Sequence, residues 1–243
     1  MKDNFSTRSY EYSKYRPEYP LAVYDFIKDH LNGYENAWDC GTGNGQVANE
    51  LAEFISKVEA TDISENQLKH AYNKKNISYS LQSAEKTGFK SAQFDLIISA
   101  QAVHWFDFEK FYAEVNRCIK NNGIIVLLGY GLFHSNLETN EVINDLYNNI
   151  LGPYWDPERG YLDENYRTIP FPFEEISTPG YEKKYLWSIE HLLGYLRTWS
   201  AVKHYENKNN ADPVSIIESR LRKAFGKSNE VVFPIIFRMG RKI

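Results

Sequence analysis

The sequence predicts an α/β protein built on a mostly parallel sheet with helices on both faces. Three observations predict it. Strand-like and helix-like patterns alternate from residue 35 to residue 130. A glycine-rich turn, Gly41-Thr42-Gly43-Asn44-Gly45, joins the first strand to the helix after it. An aspartate, Asp62, closes the second strand.

The elements follow in order. Pro17 and Pro20 mark the entry to a first helix, in which Leu21, Tyr24, Ile27 and Leu31 recur at helical spacing before Gly33 stops it. Ala37 to Cys40 is a short buried strand running into the glycine turn. Val47, Leu51, Ala52 and Phe54 give the next helix, and Val58 to Thr61 the next strand. Ser64 and Gln67 form a capping box for a helix over residues 65–75. Residues 77–81 and 94–99 read as strands, and Phe108, Phe111, Tyr112, Val115 and Ile119 as one face of a helix. Gly123 opens a fifth strand over residues 124–128.

Residues 134–185 break the rhythm. A helix near 139–151 precedes a stretch rich in Pro and aromatics, read as an insertion over the edge or mouth of the sheet. Ser188 caps a helix carrying Leu192, Leu193, Leu196 and Trp199. Asp212-Pro213 opens another that stops at Gly226. Residues 231–239 form the last strand, where Pro234 is awkward for a central position and predicts a bulge.

Composition sets the outer bounds. The chain has 243 residues, 42% of them apolar, enough for one large domain with a buried core. A net charge of −4 argues against a nucleic-acid backbone as the main partner, since phosphate binding relies on clustered Lys and Arg. No apolar run is long enough to span a bilayer and no secretory leader opens the chain, so a cytoplasmic location is expected. Cys40 and Cys118 fall in core elements and read as reduced thiols. The six histidines show no metal-ligand spacing.

The glycine turn carries the chemistry. Glycines there let the chain turn tightly and let a ligand approach the backbone, while the helix that follows aims free N–H groups at it. A carboxylate at the position of Asp62 accepts hydrogen bonds from ribose hydroxyls. Together these indicate an adenosine-type ligand. The dinucleotide pattern G-x-G-x-x-G is not met, because Gly45 falls one position early, and no Lys-Ser/Thr follows for a phosphate loop. Asp39, just before the turn, would repel a pyrophosphate but suits a ligand bearing an ammonium.

These residues resemble the class I S-adenosyl-L-methionine (SAM)-dependent methyltransferases. D-x-G-x-G-x-G at 39–45 is similar to their first motif, Asp62 to their ribose-binding acid, and Gln82-Ser83-Ala84-Glu85 to the segment beside the adenine. A narrower resemblance, to the type 11, trans-aconitate methyltransferase-like group, rests on Tyr15-Arg16-Pro17-Glu18-Tyr19-Pro20, Ala102-Val103-His104-Trp105-Phe106-Asp107 and residues 193–201. The resemblance implies a Rossmann-like, seven-stranded sheet with an antiparallel last strand, SAM as cofactor, and a small methyl acceptor such as a carboxylic acid. It also implies one methyltransferase domain: lid and helix over 1–34, SAM-binding core over 35–130, insertion over 131–187, and C-terminal helices and last strand over 188–243.

The expected cofactor contacts are Tyr15, Arg16, Asp39, Gly41, Thr42, Gly43, Asp62, Ile63, Ser83, Ala84, Glu85, Ser99, Ala100 and Gln101. The expected acceptor contacts are Tyr10, His104, Trp105, Tyr130, Arg197 and Trp199. His104 is the candidate catalytic residue, orienting an oxygen or acting as base. Trp105 can wall the pocket and face the sulfonium. Arg197 is the expected carboxylate clamp. No metal is expected, and the chain is expected to be a monomer or weak dimer. Alternatives are a hydroxyl, amine or carbon acceptor, a nucleotide-dependent oxidoreductase, and a SAM-binding module without turnover.

Overall fold

A computed structural model describes residues 15–243. The strands are β1 (Asn36–Cys40), β2 (Lys57–Asp62), β3 (Ile77–Leu81), β4 (Phe94–Ala100), β5 (Ile119–Tyr130), β6 (Glu174–Ile176), β7 (Tyr181–Ser188) and β8 (Ser228–Arg241). The helices are α1 (Leu21–His30), α2 (Gln46–Leu51), α3 (Glu65–Lys69), α4 (Phe108–Cys118), α5 (Leu137–Asn144), α6 (Arg159–Asp163), α7 (Ile189–Leu196), α8 (Ser200–Asn209) and α9 (Pro213–Phe225).

One sheet of eight strands runs in the order β3-β2-β1-β4-β5-β8-β6, with β7 also on β8. The ladders from β3 to β5 are parallel. β8 runs antiparallel against β5, from Ile124 opposite Arg241 to Tyr130 opposite Ile235. Its outer edge is shared: β7 pairs with its first half and the short β6 with its last residues. The expected Rossmann-like sheet with an antiparallel last strand is therefore present.

Side-chain alternation places the core. In β4, Leu96 and Ile98 face one cluster with α1, α2, α7 and α9, while Ile97 faces the opposite cluster with Phe111, Val115 and Cys118 of α4. β5 repeats this with Ile124, Val126 and Leu128 against Ile125 and Leu127. Strands apolar on both faces are what a sheet covered twice requires. The order reverses between β1 and β4, and in open α/β sheets the crevice at that point, at the strands' carboxyl ends, takes the ligand.

Caps fix the helix starts. Ser188 accepts from His191 N, Asp107 from Lys110 N and Asp212 from Val214 N, with Pro213 in the first turn of α9. The loop before β4 is stapled to α4 by Glu114, which takes Thr87 N at 2.7 Å and Arg117 Nη2 at 2.6 Å. Burial works to raise the Glu114 carboxyl, but the hydrogen bonds from Arg117 and Thr87 hold it down at about 2.

Five local expectations change. The helix expected over 65–75 is only Glu65–Lys69. Its capping box is half made: Ser64 Oγ accepts from Gln67 N, but Ser64 N donates to Asp62 Oδ1 instead of the glutamine side chain. Residues 131–187, expected as an insertion, contribute β6 and β7 to the sheet, and α8 continues the chain as a further helix where only a helix end was expected. Pro234 makes no bulge: its register with Glu182 is continuous with the pairs on either side. It sits where the β5 ladder ends, and its carbonyl accepts from Gly131 N at 3.1 Å. Both cysteines are buried free thiols. Among the described residues, no helix is long and apolar enough to cross a membrane, and no His/Cys/Asp/Glu group stands where it could hold a metal.

Candidate active site

The glycine turn lies at the carboxyl end of β1. Gly41, Gly43 and Gly45 all have positive φ, at 72°, 57° and 81°, a region that side chains other than glycine's enter at a cost. A Cβ on Gly41 would stand 2.7 Å from Ala102 Cβ, and one on Gly45 would overlap the Tyr79 hydroxyl, so these two glycines are demanded by packing. Gly43 differs, because a Cβ there meets nothing within 4 Å. It lines a cleft of about 850 Å³ that opens over β1, β2 and β4.

Two aspartates hold the turn. Asp39 is 1% exposed, and its Oδ2 accepts from Thr42 Oγ1 at 2.5 Å and Ala48 N at 3.0 Å. Its Oδ1 is buried with no hydrogen-bond partner among the described residues. Burial raises its carboxyl to about 7, against the opposing hydrogen bonds from Thr42 and Ala48 and with a smaller upward push from Asp62. Asp62 accepts from Gly43 N and from Ser64 N, both at 2.8 Å, which aims its carboxylate along the cleft wall. Gln67 also lines the cleft, 3% exposed, with its Oε1 buried and unpartnered among the described residues.

A second cleft of about 450 Å³ adjoins the first and shares Arg16, Gln101 and Trp105 with it. Gln101 has a positive φ of 54°, strain that bonds hold in place: its N–H donates to Leu128 O and its Oε1 accepts from Tyr130 N. Arg16 donates to Tyr130 Oη at 2.9 Å and Thr198 O at 3.3 Å, which carries the chain entry across the top of the sheet. Trp155, Arg159 and Trp199 complete the far walls.

His104 lines this second cleft and is 4% exposed. Its Nδ1 lies 2.9 Å from the Tyr166 hydroxyl. Burial, then the charges of Arg159 and Arg16, press the imidazole down to about 3, so it is neutral near pH 7. Tyr166 reaches it from a segment with two successive positive φ values, Asn165 and Tyr166, and its ring packs where a Cβ on Gly129 would stand.

Of the residues expected from sequence, Arg16, Asp39, Gly41, Thr42, Gly43, Asp62, Ile63, Ala100, Gln101, Trp105 and Tyr130 line the first cleft. His104, Trp105 and Trp199 line the second. Others stand elsewhere. Tyr15 packs against Gly194 and edge-on to His191, filling the space a side chain on Gly194 would need. Ser83, Ala84 and Glu85 line neither cleft, because their segment closes on itself through the Ser83–Glu85 side-chain bond and Glu85 turns to Asp107 N. Ser99 is fully buried, one residue short of the cleft. Arg197 is drawn away from the clefts by two carboxylates, Asp212 at 2.9 Å and Glu218 at 3.3 Å. Tyr10 lies outside the described residues.

Sequence reasoning missed Gln67, Trp155 and Arg159. Gln67 was absorbed into the capping box. Trp155 and Arg159 belong to the stretch read as an insertion, and no spacing ties them to His104.

A doubly wound sheet with an antiparallel strand beyond β5, and a glycine-turn cleft at its switch point, defines a class I SAM-dependent methyltransferase. The methyltransferase domain described as Methyltransf_11 matches residues 38–127. A Dictyostelium discoideum protein provisionally named a methyltransferase is 32% identical, over 99% of this chain and 95% of its own length. A solved structure from Anaeromyxobacter dehalogenans, provisionally titled a type II methyltransferase, is 38% identical with a TM-score of 0.85, covering 93% of this chain and 97% of that one. A Saccharomyces cerevisiae protein named for S-adenosylmethionine-dependent methyl transfer, CRG1, is 25% identical over 68% of this chain and 59% of its own. The chain belongs to the methyltransferase-domain family, and its cofactor is SAM.

The residues present fit that cofactor. Asp39 and Gln67 line the first cleft, each with a buried acceptor atom, Oδ1 and Oε1, that has no partner among the described residues, which suits a ligand rich in donors. The ammonium, ribose hydroxyls and adenine amine of SAM are donors that could meet them.

Proposed function

We propose that the protein transfers the methyl group of SAM to a small carboxylic acid, as an O-methyltransferase of the trans-aconitate methyltransferase-like kind, with the whole chain acting as one domain. The observation that carries this reading is the junction of the two clefts at Arg16, Gln101 and Trp105. A cofactor in the first then faces an acceptor in the second.

In this reading Asp39 takes the ammonium of SAM, Asp62 the ribose hydroxyls, and Gln67 one further donor. Gly43 leaves the backbone open to the ligand. Trp105 stands on the shared wall, where an aromatic face is attracted to a cationic sulfur. When bound, SAM supplies an electrophilic methyl on a positively charged leaving group. What the chain must do is hold the nucleophile in line and exclude water. The neutral His104 bears on the acceptor's chemistry. An imidazole held at about 3 is a poor base near pH 7, but it can still orient an oxygen by hydrogen bonding. An acceptor that arrives as an anion needs no base, and Arg16 and Arg159 favour an anion in that cleft.

Labelled-methyl transfer from SAM across a panel of small acids, phenols and amines tests the proposal. Label in a base-labile methyl ester from at least one acid is expected. Label entering only amines or phenols rejects the carboxylate reading.

A further inference from the structure

The acceptor cleft contains a residue that neither the family resemblance nor the glycine-turn chemistry assigns. Arg159 opens α6, and its side chain is 17% exposed. Its Nε donates to the Tyr147 hydroxyl at 2.8 Å and lies 3.5 Å from Asp163 Oδ1. Its guanidinium lies over two rings, Trp155 at 5.2 Å and Tyr147 at 5.5 Å. The group is thus fixed in plane and position through one nitrogen. Its two terminal nitrogens make no hydrogen bond among the described residues, and Arg159 lines the second cleft. Asp163 is its partner on the Nε side, and among the described residues no aspartate or glutamate lines the cleft itself.

A guanidinium is a rigid fork whose paired N–H groups match the two oxygens of a carboxylate. The terminal nitrogens are not among the buried unpartnered atoms, so they face the open cleft, where the oxygens of a ligand can replace water on them. We propose that Arg159 is the specificity-determining residue of the acceptor cleft, binding a carboxylate of the acceptor through its terminal nitrogens. The inference rests on the second cleft being the acceptor site. Tyr147 and Trp155 hold the fork, and Trp155 and Trp199, with ring centroids 5.5 Å apart, wall the body of the acceptor. Acids then bind and their amides, which lack the charge and the second acceptor oxygen, do not.

The test uses the full chain saturated with S-adenosylhomocysteine. Mono-, di- and tricarboxylic acids and the matching amides are titrated against tryptophan fluorescence, since Trp105, Trp155 and Trp199 line the cleft. Wild type, Arg159→Gln and Arg159→Lys are compared. At least one acid is expected to bind wild type, its amide to bind at least tenfold more weakly, Arg159→Gln to lose at least tenfold in affinity for the acid, and Arg159→Lys to recover part of it. S-adenosylhomocysteine affinity is expected to be equal in all three proteins, which also reports that the variants fold. Acids that bind wild type and Arg159→Gln alike, amides that bind as well as acids, or no acid binding to a wild type that holds S-adenosylhomocysteine, would overturn the proposal. Failure of wild type to bind S-adenosylhomocysteine would instead remove the methyltransferase reading beneath it.

Discussion

The two clefts are built in different ways. The first is built around one backbone turn: Gly41 and Gly43 line it in left-handed conformation, Asp39 and Asp62 brace them, and Gln46 and Val47 at the start of α2 stand on its wall. The second is made of long side chains from separate parts of the chain, with Arg16 before α1, His104 after β4, Arg159 on α6 and Trp199 before α8. Backbone geometry tolerates few residue types, so the first cleft can hold one cofactor with little room for variation. Side chains on separate segments can be exchanged one at a time, so under the proposed function the second cleft is where acceptor choice would reside.

The largest break of this comparison is expected at Gly41. Gly41→Val forces a branched side chain into a positive φ and onto Ala102, so S-adenosylhomocysteine binding should be lost by calorimetry and the melting temperature should fall, at a cost of about 2–4 kcal/mol. Gly43→Ala sharpens the point. Its Cβ meets open space, so stability should change by only about 1 kcal/mol while cofactor affinity falls at least tenfold. A Gly43→Ala protein that binds normally would show that the cleft floor is not a ligand contact.

Asp39 gives an effect of intermediate size with two signs. Its carboxyl is raised to about 7 when folded, above its value in an unfolded chain, so between about pH 4 and 7 the folded state holds the extra proton. Stability of the ligand-free protein should therefore fall as pH rises through that window and stay lower above it. Asp39→Asn removes the effect. Its ligand-free melting temperature should exceed wild type at pH 8, while its cofactor affinity should be about tenfold weaker. In wild type, affinity for S-adenosylhomocysteine should rise from about pH 5.5 to about 7.5 as Asp39 ionises toward the ligand's ammonium. A flat affinity profile would mean that Asp39 does not meet that group.

The smaller effects lie in and near the second cleft. Because His104 is held near 3, the rate of methyl transfer at saturating acceptor should show no inflection between about pH 6 and 7. An inflection removed by His104→Asn would make it a titrating base. The smallest change is expected from Arg197→Met. Its ion pairs are about a third exposed, so stability should drop by no more than about 1 kcal/mol and acceptor KM should stay the same. A raised KM would return Arg197 to the acceptor site.

The same contrast explains what the sequence disclosed. The parallel sheet, the turn and Asp62 were legible because buried strands and positive-φ glycines leave local patterns. β6 and β7 were not. β7 alternates at an edge, with charges at Glu182 and Lys184, and sits in a segment dominated by prolines and aromatics. Gln67 was misread because a capping glutamine and a ligand-facing glutamine look the same along the chain. Arg197 drew notice because it lies within a recognisable segment, residues 193–201, whereas Arg159 carries no such signal. Only folding reveals that Asp212 and Glu218 occupy the first and that, among the described residues, no hydrogen bond is made by the terminal nitrogens of the second.

The glycine-turn cleft is proposed to hold SAM against an acceptor site behind Trp105. Calorimetric titration of the wild-type chain with S-adenosylhomocysteine tests it most directly, repeated with Gly43→Ala. The account predicts saturable one-to-one binding by the wild type and binding at least tenfold weaker by the folded variant. No heat of binding to a folded wild type, or equal affinity in the two proteins, would contradict it.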